Sequence, residues 1–201
     1  MLGNENLYWI GSRADFVYKI AHPRFALRIG TGYKNEMKIY VGADHAGYEL
    51  KEKLKIFLAQ KGHEVEDKGA FKLDPEDDYP DFIKPVAEAV AEDPDNRRGI
   101  VIGGSGQGEA VAANRLKSAR AIVFYGTRLP IFPLDIKGKK SEDPFEIVRL
   151  SRAHDNANIL SLGARFITSE EAKQAVEIFL ETEFEGGRHS RRVKKIDGNQ
   201  I

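Results

Sequence analysis

The segment Gly103–Glu109 places residue types that could do chemistry in one short turn. Its sequence, GGSGQGE, combines a serine hydroxyl and a carboxylate with four glycines. Glycine-rich turns expose backbone N–H groups, which stabilise anions such as a phosphate or an enolate. A turn that only bound phosphate would have little use for Glu109, so the carboxylate indicates proton transfer. We therefore predict an acid–base site beside an anion-stabilising turn.

The flanking sequence predicts how this turn is positioned. The apolar run Gly99–Ile102 indicates a buried strand, and Glu109–Leu116 is typical of a helix. A second glycine-flanked turn, Gly42–Gly47, also lies between a strand and a helix and contains Asp44 and His45. In isolation, Asp44 is equally well explained as a helix N-cap that accepts backbone N–H bonds.

Strand and helix patterns alternate from Met37 onward. Strands are predicted at 38–42, 63–67, 99–102, 119–124 and 158–162, and helices at 48–60, 83–91, 109–116, 144–153 and 168–181. This order predicts an α/β fold, a doubly wound (Rossmann-like) five-stranded parallel sheet with helices on both faces, followed by a C-terminal basic arm. Ligands of such sheets gather at the carboxyl ends of the strands. We expect most polar candidates to converge there, although His154 precedes the last strand.

The composition describes an ordinary globular protein with no bias toward one kind of partner. Of 201 residues, 41% are hydrophobic and 31% are charged, and the formal net charge is zero, so neither nucleic acid nor a membrane surface is indicated. No apolar stretch approaches the ~20 residues that cross a bilayer. The absence of cysteine excludes disulfides, thiolate metal ligands and a cysteine base, and it fits a cytoplasmic location.

Residues 1–36 differ from the rest of the chain because they show no sustained helical or alternating period. Residues 5–12 resemble the remnant of a protease-cleavage linker, although a natural extension or leader explains them as well. We predict an N-terminal extension over 1–36 and one functional domain over 37–201.

Six short motifs between Met37 and Ile196 occur in an order that is specific, although no single motif is. They are GADHAG at 42–47, DYP at 78–80, GGSGQGE at 103–109, AAN at 112–114, SRAH at 151–154 and FEGGRH at 184–189. Together they resemble ribose-5-phosphate isomerase type B, a family that also includes galactose-6-phosphate isomerases. The resemblance implies an aldose–ketose isomerase of the pentose phosphate pathway that interconverts ribose 5-phosphate and ribulose 5-phosphate through a cis-enediolate. It implies no metal or organic cofactor, and a homodimer, or a tetramer, whose active sites draw residues from two subunits.

The same resemblance implies roles for individual residues. Many members use a cysteine at the position of Gly103 as the base, whereas this chain resembles the branch in which a glutamate, here Glu109, takes that role. Ser105 and the backbone N–H groups of the turn would stabilise the enediolate, and Asp44 and His154 would open the sugar ring. The other implied substrate contacts are Gly104, Gly106 and Gly108 in the turn, His45, Arg165, Arg188 and Arg192 at the phosphate, and Tyr79 and Asp155 in the sugar pocket.

Two features depart from the family pattern. Asp155 stands where members usually carry asparagine, and an acid there would repel a developing enediolate. The region 126–143 is longer than usual, and it would either cover the pocket or alter a subunit contact. Both features leave the identity of the substrate open.

Three other functions stay open on the sequence alone. A six-carbon substrate, such as allose or galactose 6-phosphate, would be isomerised by the same chemistry. A non-catalytic sugar-phosphate-binding protein would need neither Glu109 nor Ser105. A nucleotide-binding protein is the weakest alternative, because neither glycine turn carries the full Gly-x-Gly-x-x-Gly fingerprint.

Simpler explanations also exist for single residues. Glu109 would otherwise complement a helix dipole, Ser105 would be a turn residue, and His154 would be an ordinary helix-terminal histidine. We predict no part in the chemistry for three other histidines, His22, His63 and His189. The basic residues expected in a solvated, partly disordered end are Arg191, Lys194 and Lys195.

Overall fold

Five strands and six helices make up the residues that the structure describes. The structure, a computed structural model, covers residues 37–134 and 138–198, so the extension predicted over 1–36 lies outside it. The strands are β1 (Lys38–Ala43), β2 (Glu64–Asp67), β3 (Arg97–Gly103), β4 (Ala121–Phe124) and β5 (Ile159–Gly163). The helices are α1 (Tyr48–Gln60), α2 (Pro80–Ala91), α3 (Gln107–Ala113), α4 (Glu146–Asp155), α5 (Ser169–Glu181) and α6 (Arg188–Ile196).

All five strands are parallel, in the order β2-β1-β3-β5-β4. Alternate side chains of a strand point to opposite faces of a sheet. Ile39 and Val41 of β1 accordingly pack with α1, α4 and α5 on one face, whereas Tyr40 packs with α2 and α3 on the other. The predicted doubly wound sheet with helices on both faces is confirmed.

The two ends of the sheet define two edges that matter for the site. The strands end at Ala43, Asp67, Gly103, Phe124 and Gly163, which we call the carboxyl edge. They begin at Lys38, Glu64, Arg97, Ala121 and Ile159, which we call the amino edge. At ~3.3 Å per residue, the four steps from Ile159 to Gly163 of β5 separate the two edges by about 13 Å.

Local sequence signals explain where helices begin. A capping box precedes α5: the Glu171 N–H donates to Thr168 Oγ1 (3.2 Å), and the Thr168 N–H donates to Glu171 Oε2 (2.8 Å). None of the helices in residues 37–134 and 138–198 is long and apolar enough to span a membrane.

The C-terminal basic arm is a helix, so the expectation of a partly disordered end was wrong. Helix α6 is anchored by His189 and Val193, which are 5% and 8% exposed. The basic side chains between and after these anchors are exposed, as predicted for Arg191, Lys194 and Lys195.

Candidate active site

The turn after β3 folds so that the Glu109 carboxylate lies beside Gly103. A methyl group built on Gly103 would overlap the carboxyl atoms of Glu109, so only glycine leaves room for the acid. Gly106 has a φ of 77°, a left-handed conformation that glycine adopts without strain. Its carbonyl accepts a hydrogen bond from the buried Ser161 Oγ at 2.7 Å, which ties the turn to β5.

Glu109 is almost fully buried, with 4% of the residue exposed. Burial raises the pKa of this carboxyl, and the nearby charge of Asp44 raises it further, while hydrogen bonds from the backbone N–H groups of Glu109 and Gly106 act in the opposite direction. A carboxyl whose pKa lies above its ordinary value is a stronger base once ionised. A residue that merely complemented a helix dipole would instead be stabilised as an anion.

Ser105 is exposed at the tip of the turn, so its hydroxyl faces solvent rather than the core. Its Oγ accepts a weak hydrogen bond from the Gln107 N–H at 3.3 Å. The hydroxyl hydrogen has no acceptor among the described residues, so it is free to donate to a ligand. The contact with Gln107 is also one that a turn-forming serine makes.

Asp44 and His45 follow β1 and lie at the same carboxyl edge. Asp44 is 8% exposed, and its Oδ1 accepts a hydrogen bond from the Gly47 N–H at 3.0 Å, so the N-cap-like contact is real. The charge of the same side chain also raises the pKa of the Glu109 carboxyl, after the larger effect of burial. The His45 imidazole is bound by Asp77, a residue that the sequence did not single out.

Arg165 and Tyr79 cover the glycine turn from two sides. A methyl group on Gly104 would lie 3.1 Å from Arg165 Cζ, and one on Gly108 would lie 3.0 Å from Tyr79 Cζ. The Arg165 guanidinium makes no ion pair among the described residues, and its charge acts on His45. Two cationic side chains therefore face the same region, which suits an anionic group of a ligand.

His154 and Asp155 do not lie with Glu109 in one chain, which agrees with the expectation that His154 precedes the last strand. Helix α4 ends at Asp155 and leads into the start of β5, so its last residues lie at the amino edge. The Asn158 N–H donates to the Arg120 carbonyl at 3.0 Å, just before β4, which fixes this placement. A helix that precedes a parallel strand must end at that strand's amino end.

Arg188 and Arg192 also lie near the amino edge. We call these two residues, together with His154, Asp155, Glu185 and His189, the amino-edge group. The two arginines lie on α6, where both charges act on His189. The His189 ring stacks on the His154 ring, with centroids 4.2 Å apart and an interplanar angle of 11°. This pair was not predicted from the sequence, because the two histidines are far apart along the chain. His63, in contrast, has no side-chain contact with either group.

The amino-edge group is also where a metal ion is conceivable. His154, Glu185 and His189 offer ligand atoms within 4.8 Å of one another, the one such group among residues 37–134 and 138–198. Stacked, nearly parallel imidazoles direct their nitrogen lone pairs side by side rather than toward a common point. The arrangement therefore suits a ring stack better than tetrahedral coordination.

Two cavities lie near the residues described above. A cavity of about 540 Å³ at the amino edge is lined by Arg115, Arg120, Asp155 and Asp197, among others. A second, of about 410 Å³, lies between β4, α4 and the region after β4, and is lined mainly by apolar residues such as Leu129 and Ile131.

Comparison with known proteins identifies the family to which this chain belongs. The family model described as Ribose/Galactose Isomerase matches residues 39–128 and 142–196. The chain belongs to the ribose/galactose isomerase family. The gap in this family match coincides with the long region after β4, so residues 129–141 are an insertion relative to the family model.

Relatives within the ribose/galactose isomerase family have consistent names. The chain is 38% identical to ribose-5-phosphate isomerase B of Mycolicibacterium paratuberculosis over 158 residues, covering 78% of this chain and 87% of that protein. It is 36% identical to the Escherichia coli enzyme of the same name, covering 79% of this chain and 93% of that protein.

Solved structures of the family agree. The crystal structure of ribose-5-phosphate isomerase B from Mycoplasma genitalium with bound ribulose-5-phosphate has a TM-score of 0.70 at 37% identity, covering 80% of this chain and 94% of that one. The Thermotoga maritima enzyme has a TM-score of 0.66 at 41% identity, covering 81% and 98%.

Proposed function

We propose that this protein interconverts D-ribose 5-phosphate and D-ribulose 5-phosphate, with Glu109 as the base. The observation that carries the proposal is the buried Glu109 carboxylate, with its raised pKa, packed against Gly103 beside the exposed Ser105 hydroxyl. Membership of the ribose/galactose isomerase family supports the reaction class, and the relatives named above support the five-carbon substrate.

In the proposed reaction, Glu109 removes the proton from C2 of the open-chain aldose and returns it to C1. Charge develops on the substrate oxygens in the cis-enediolate between these steps. Ser105 Oγ and those backbone N–H groups of the turn that are not already bonded, from Gly104, Ser105 and Gly108, donate hydrogen bonds to it, and each such donor typically contributes a few kcal/mol. Asp44 and His154 assist ring opening by moving a proton between the ring oxygen and the anomeric hydroxyl.

The phosphate is proposed to bind between cations. His45 and Arg165 supply two of them at the carboxyl edge, and the absence of an ion pair at Arg165 among the described residues supports this. Arg188 and Arg192 supply the others from α6. Tyr79, packed on Gly108, lines the sugar pocket next to the turn.

The distribution of these residues over two edges supports a homodimer with shared active sites. About 13 Å of sheet separates the edges, so a sugar phosphate bound at the glycine turn does not also reach His154 of the same chain. A second copy of the chain would bring its amino-edge group, with His154 and Asp155, against the first copy's glycine turn. A two-fold arrangement of this kind makes two equivalent sites.

The first experiment is an isomerase assay with ribose 5-phosphate, accompanied by exchange of the substrate C2 proton with solvent. Glu109→Gln should lower kcat by about 10²–10⁴-fold and abolish exchange, because the general base is lost. Glu49→Gln is the matched control, since Glu49 is also a first-turn glutamate but is exposed on α1. Exchange in Glu109→Gln as fast as in the parent would disprove the base assignment.

The same assay separates the alternatives. A higher kcat/KM for allose or galactose 6-phosphate than for ribose 5-phosphate would overturn the assignment of ribose 5-phosphate as the substrate. Binding of sugar phosphates without exchange in the parent protein would identify a binding protein instead.

Shared sites are tested by co-expressing two inactive variants, Glu109→Gln and His154→Ala. Random pairing makes half of the dimers mixed, and each mixed dimer holds one intact site. The mixture should therefore recover about a quarter of the parent's activity. No recovery would mean that each site is completed within one chain.

The proposal extends to the location of the protein and to its pathway. The absence of cysteine is compatible with a reducing compartment, so we propose a cytoplasmic enzyme of the pentose phosphate pathway.

A further inference from the structure

Asp77 holds His45 through two contacts from a single carboxylate oxygen. Asp77 Oδ1 lies 2.7 Å from His45 Nδ1 and accepts the His45 backbone N–H at 3.1 Å. The loop between β2 and α2 thus reaches across to the turn that follows β1. Backbone and ring of the same histidine are fixed by one acid, which leaves the ring little freedom to rotate.

The Asp77 carboxylate is buried, although it lies in a loop. Its side chain is 6% exposed, compared with 34% for His45. Its second oxygen, Oδ2, is buried and has no hydrogen-bond partner among residues 37–134 and 138–198. An ionised acid in such a position is costly unless a cation pairs with it, and within that part of the chain the cation is His45.

The hydrogen bond to Asp77 determines which nitrogen of His45 is free. Because a carboxylate only accepts hydrogen bonds, Nδ1 carries a proton. Nε2, across the ring, makes no hydrogen bond to any described residue and belongs to the exposed part of the side chain. When the ring is charged, Nε2 donates and suits a phosphate oxygen, whereas a neutral ring would present a lone pair that repels it.

The groups around His45 shift its pKa in opposite directions. Asp77 raises the pKa of His45 through the hydrogen bond, burial of the ring opposes this, Asp44 and Asp77 raise it by their charge, and Arg165 lowers it. Asp74 lies in the same loop as Asp77. Its pKa is lowered mainly by Lys72, and the charge of His45 adds to this effect. The net direction for the His45 pKa is upward.

We infer that Asp77 is a positioning residue that keeps His45 protonated on Nδ1, charged, and turned so that Nε2 donates to the substrate phosphate. The inference rests on the proposed function for the identity of the phosphate ester. The contact itself depends only on the geometry of Asp77 and His45. Without Asp77, burial of the ring and the charge of Arg165 would oppose the charge of Asp44, and the pKa of His45 would fall.

The test compares the parent with Asp77→Asn, which keeps the shape of the side chain and removes its charge. Asp78→Asn is the matched control, because the adjacent Asp78 is exposed and makes no side-chain hydrogen bond. The His45 ring is titrated by NMR in each protein and assigned with His45→Gln. We expect the His45 midpoint to fall in Asp77→Asn and to stay at the parent value in Asp78→Asn.

Binding of inorganic phosphate at two pH values then separates positioning from a merely structural role. At pH 5.5 His45 is charged in both proteins, so the parent and Asp77→Asn should bind phosphate within about twofold of each other. At pH 8 Asp77→Asn should bind about threefold to tenfold more weakly, because its ring is neutral. The same variant should raise KM for ribose 5-phosphate at pH 8 more than it lowers kcat.

Two results would overturn the inference. One is an equal loss of phosphate binding at both pH values, which would mean that Asp77 only supports the loop. The other is a parent His45 midpoint at or below the ordinary histidine value, and this result does not depend on whether Asp77→Asn folds. Neither measurement uses turnover, so an inactive parent in the isomerase assay would count against the proposed function alone.

Discussion

The carboxylate of Glu109 fills the space that a side chain at Gly103 would occupy. A methyl group at Gly103 would overlap the carboxyl atoms, although the two residues are six positions apart and on different elements. A base at 109 and any side chain at 103 therefore exclude each other in this backbone. In structural terms, the choice between a cysteine at one position and a glutamate at the other is a choice of which residue fills one volume.

Gly103→Ala should damage both activity and stability. The added methyl group displaces the Glu109 carboxylate, so kcat should fall by at least about tenfold and unfolding should become easier by about 1–3 kcal/mol, as for other overpacked sites. In the background Glu109→Ala the space is empty, and the stability cost of Gly103→Ala should largely vanish. Urea unfolding of the four proteins measures this coupling, and additive costs would contradict the shared volume.

The pH profile of kcat/KM should be bell-shaped. On the acid side activity rises as Glu109 loses its proton, and because its pKa is raised, this limb lies above the range of an ordinary glutamic acid. On the alkaline side activity falls as His45 loses its charge, above the ordinary histidine range. His45→Gln should remove the alkaline limb. An acid limb at the pKa of an ordinary glutamate would count against Glu109 as the base.

Glu109→Gln should stabilise the protein near neutral pH. Burial raises the pKa of Glu109 above its unfolded value, so folding favours the protonated acid, and that contribution disappears as pH rises through the folded pKa. At pH 7 the ionised acid therefore opposes folding, and its replacement should raise Tm by ~2–4 °C, or about 1 kcal/mol. The gain should shrink below about pH 4, where the unfolded acid is protonated too.

Thermal unfolding at the two pH values provides the measurement, with Glu49→Gln as the exposed control. The control should change stability by less than about 0.5 kcal/mol at either pH. A lower Tm for Glu109→Gln at pH 7 would show that the backbone hydrogen bonds to the carboxylate outweigh its burial.

His189 should support turnover through the planar shape of its ring, which stacks on His154. Burial lowers the pKa of His189, and the charges of His154, Arg188 and Arg192 lower it further, so the ring stays neutral while it stacks on His154. His189→Phe keeps an aromatic plane against His154 and should retain kcat within about threefold, whereas His189→Ala should lower it about tenfold through misplacement of His154. Steady-state kinetics distinguishes the two, and equal losses would contradict the stacking role.

Periodicity predicted the sheet and most helices because these elements bury one continuous face. The amphipathic spacing of α1 and the capping box of α5 gave their bounds correctly. Helix α6 was interpreted as a solvated arm because its many basic residues conceal the two buried positions, His189 and Val193. Short anchors of this kind are visible only once the packing partner is known.

The site was predictable where residues directly follow a strand, as Asp44, Ser105 and Glu109 do. Asp77 was missed because it lies in an irregular loop, where no period marks a buried side chain. His154 was expected to precede the last strand, and the structure has it at the end of α4, before β5. A residue at the end of a helix that leads into a parallel strand belongs to the amino edge, so its separation from Glu109 follows from the direction of the chain.

The separation of Glu109 and His154 on opposite edges of the sheet has a thermodynamic consequence for the proposed dimer. A sugar phosphate that contacts both groups is held by two chains at once. By linkage, association of the chains must strengthen its binding by the same factor by which it strengthens their association. The substrate is thus itself a ligand of assembly, and dilute protein should be more completely paired when ribose 5-phosphate is abundant than when it is scarce.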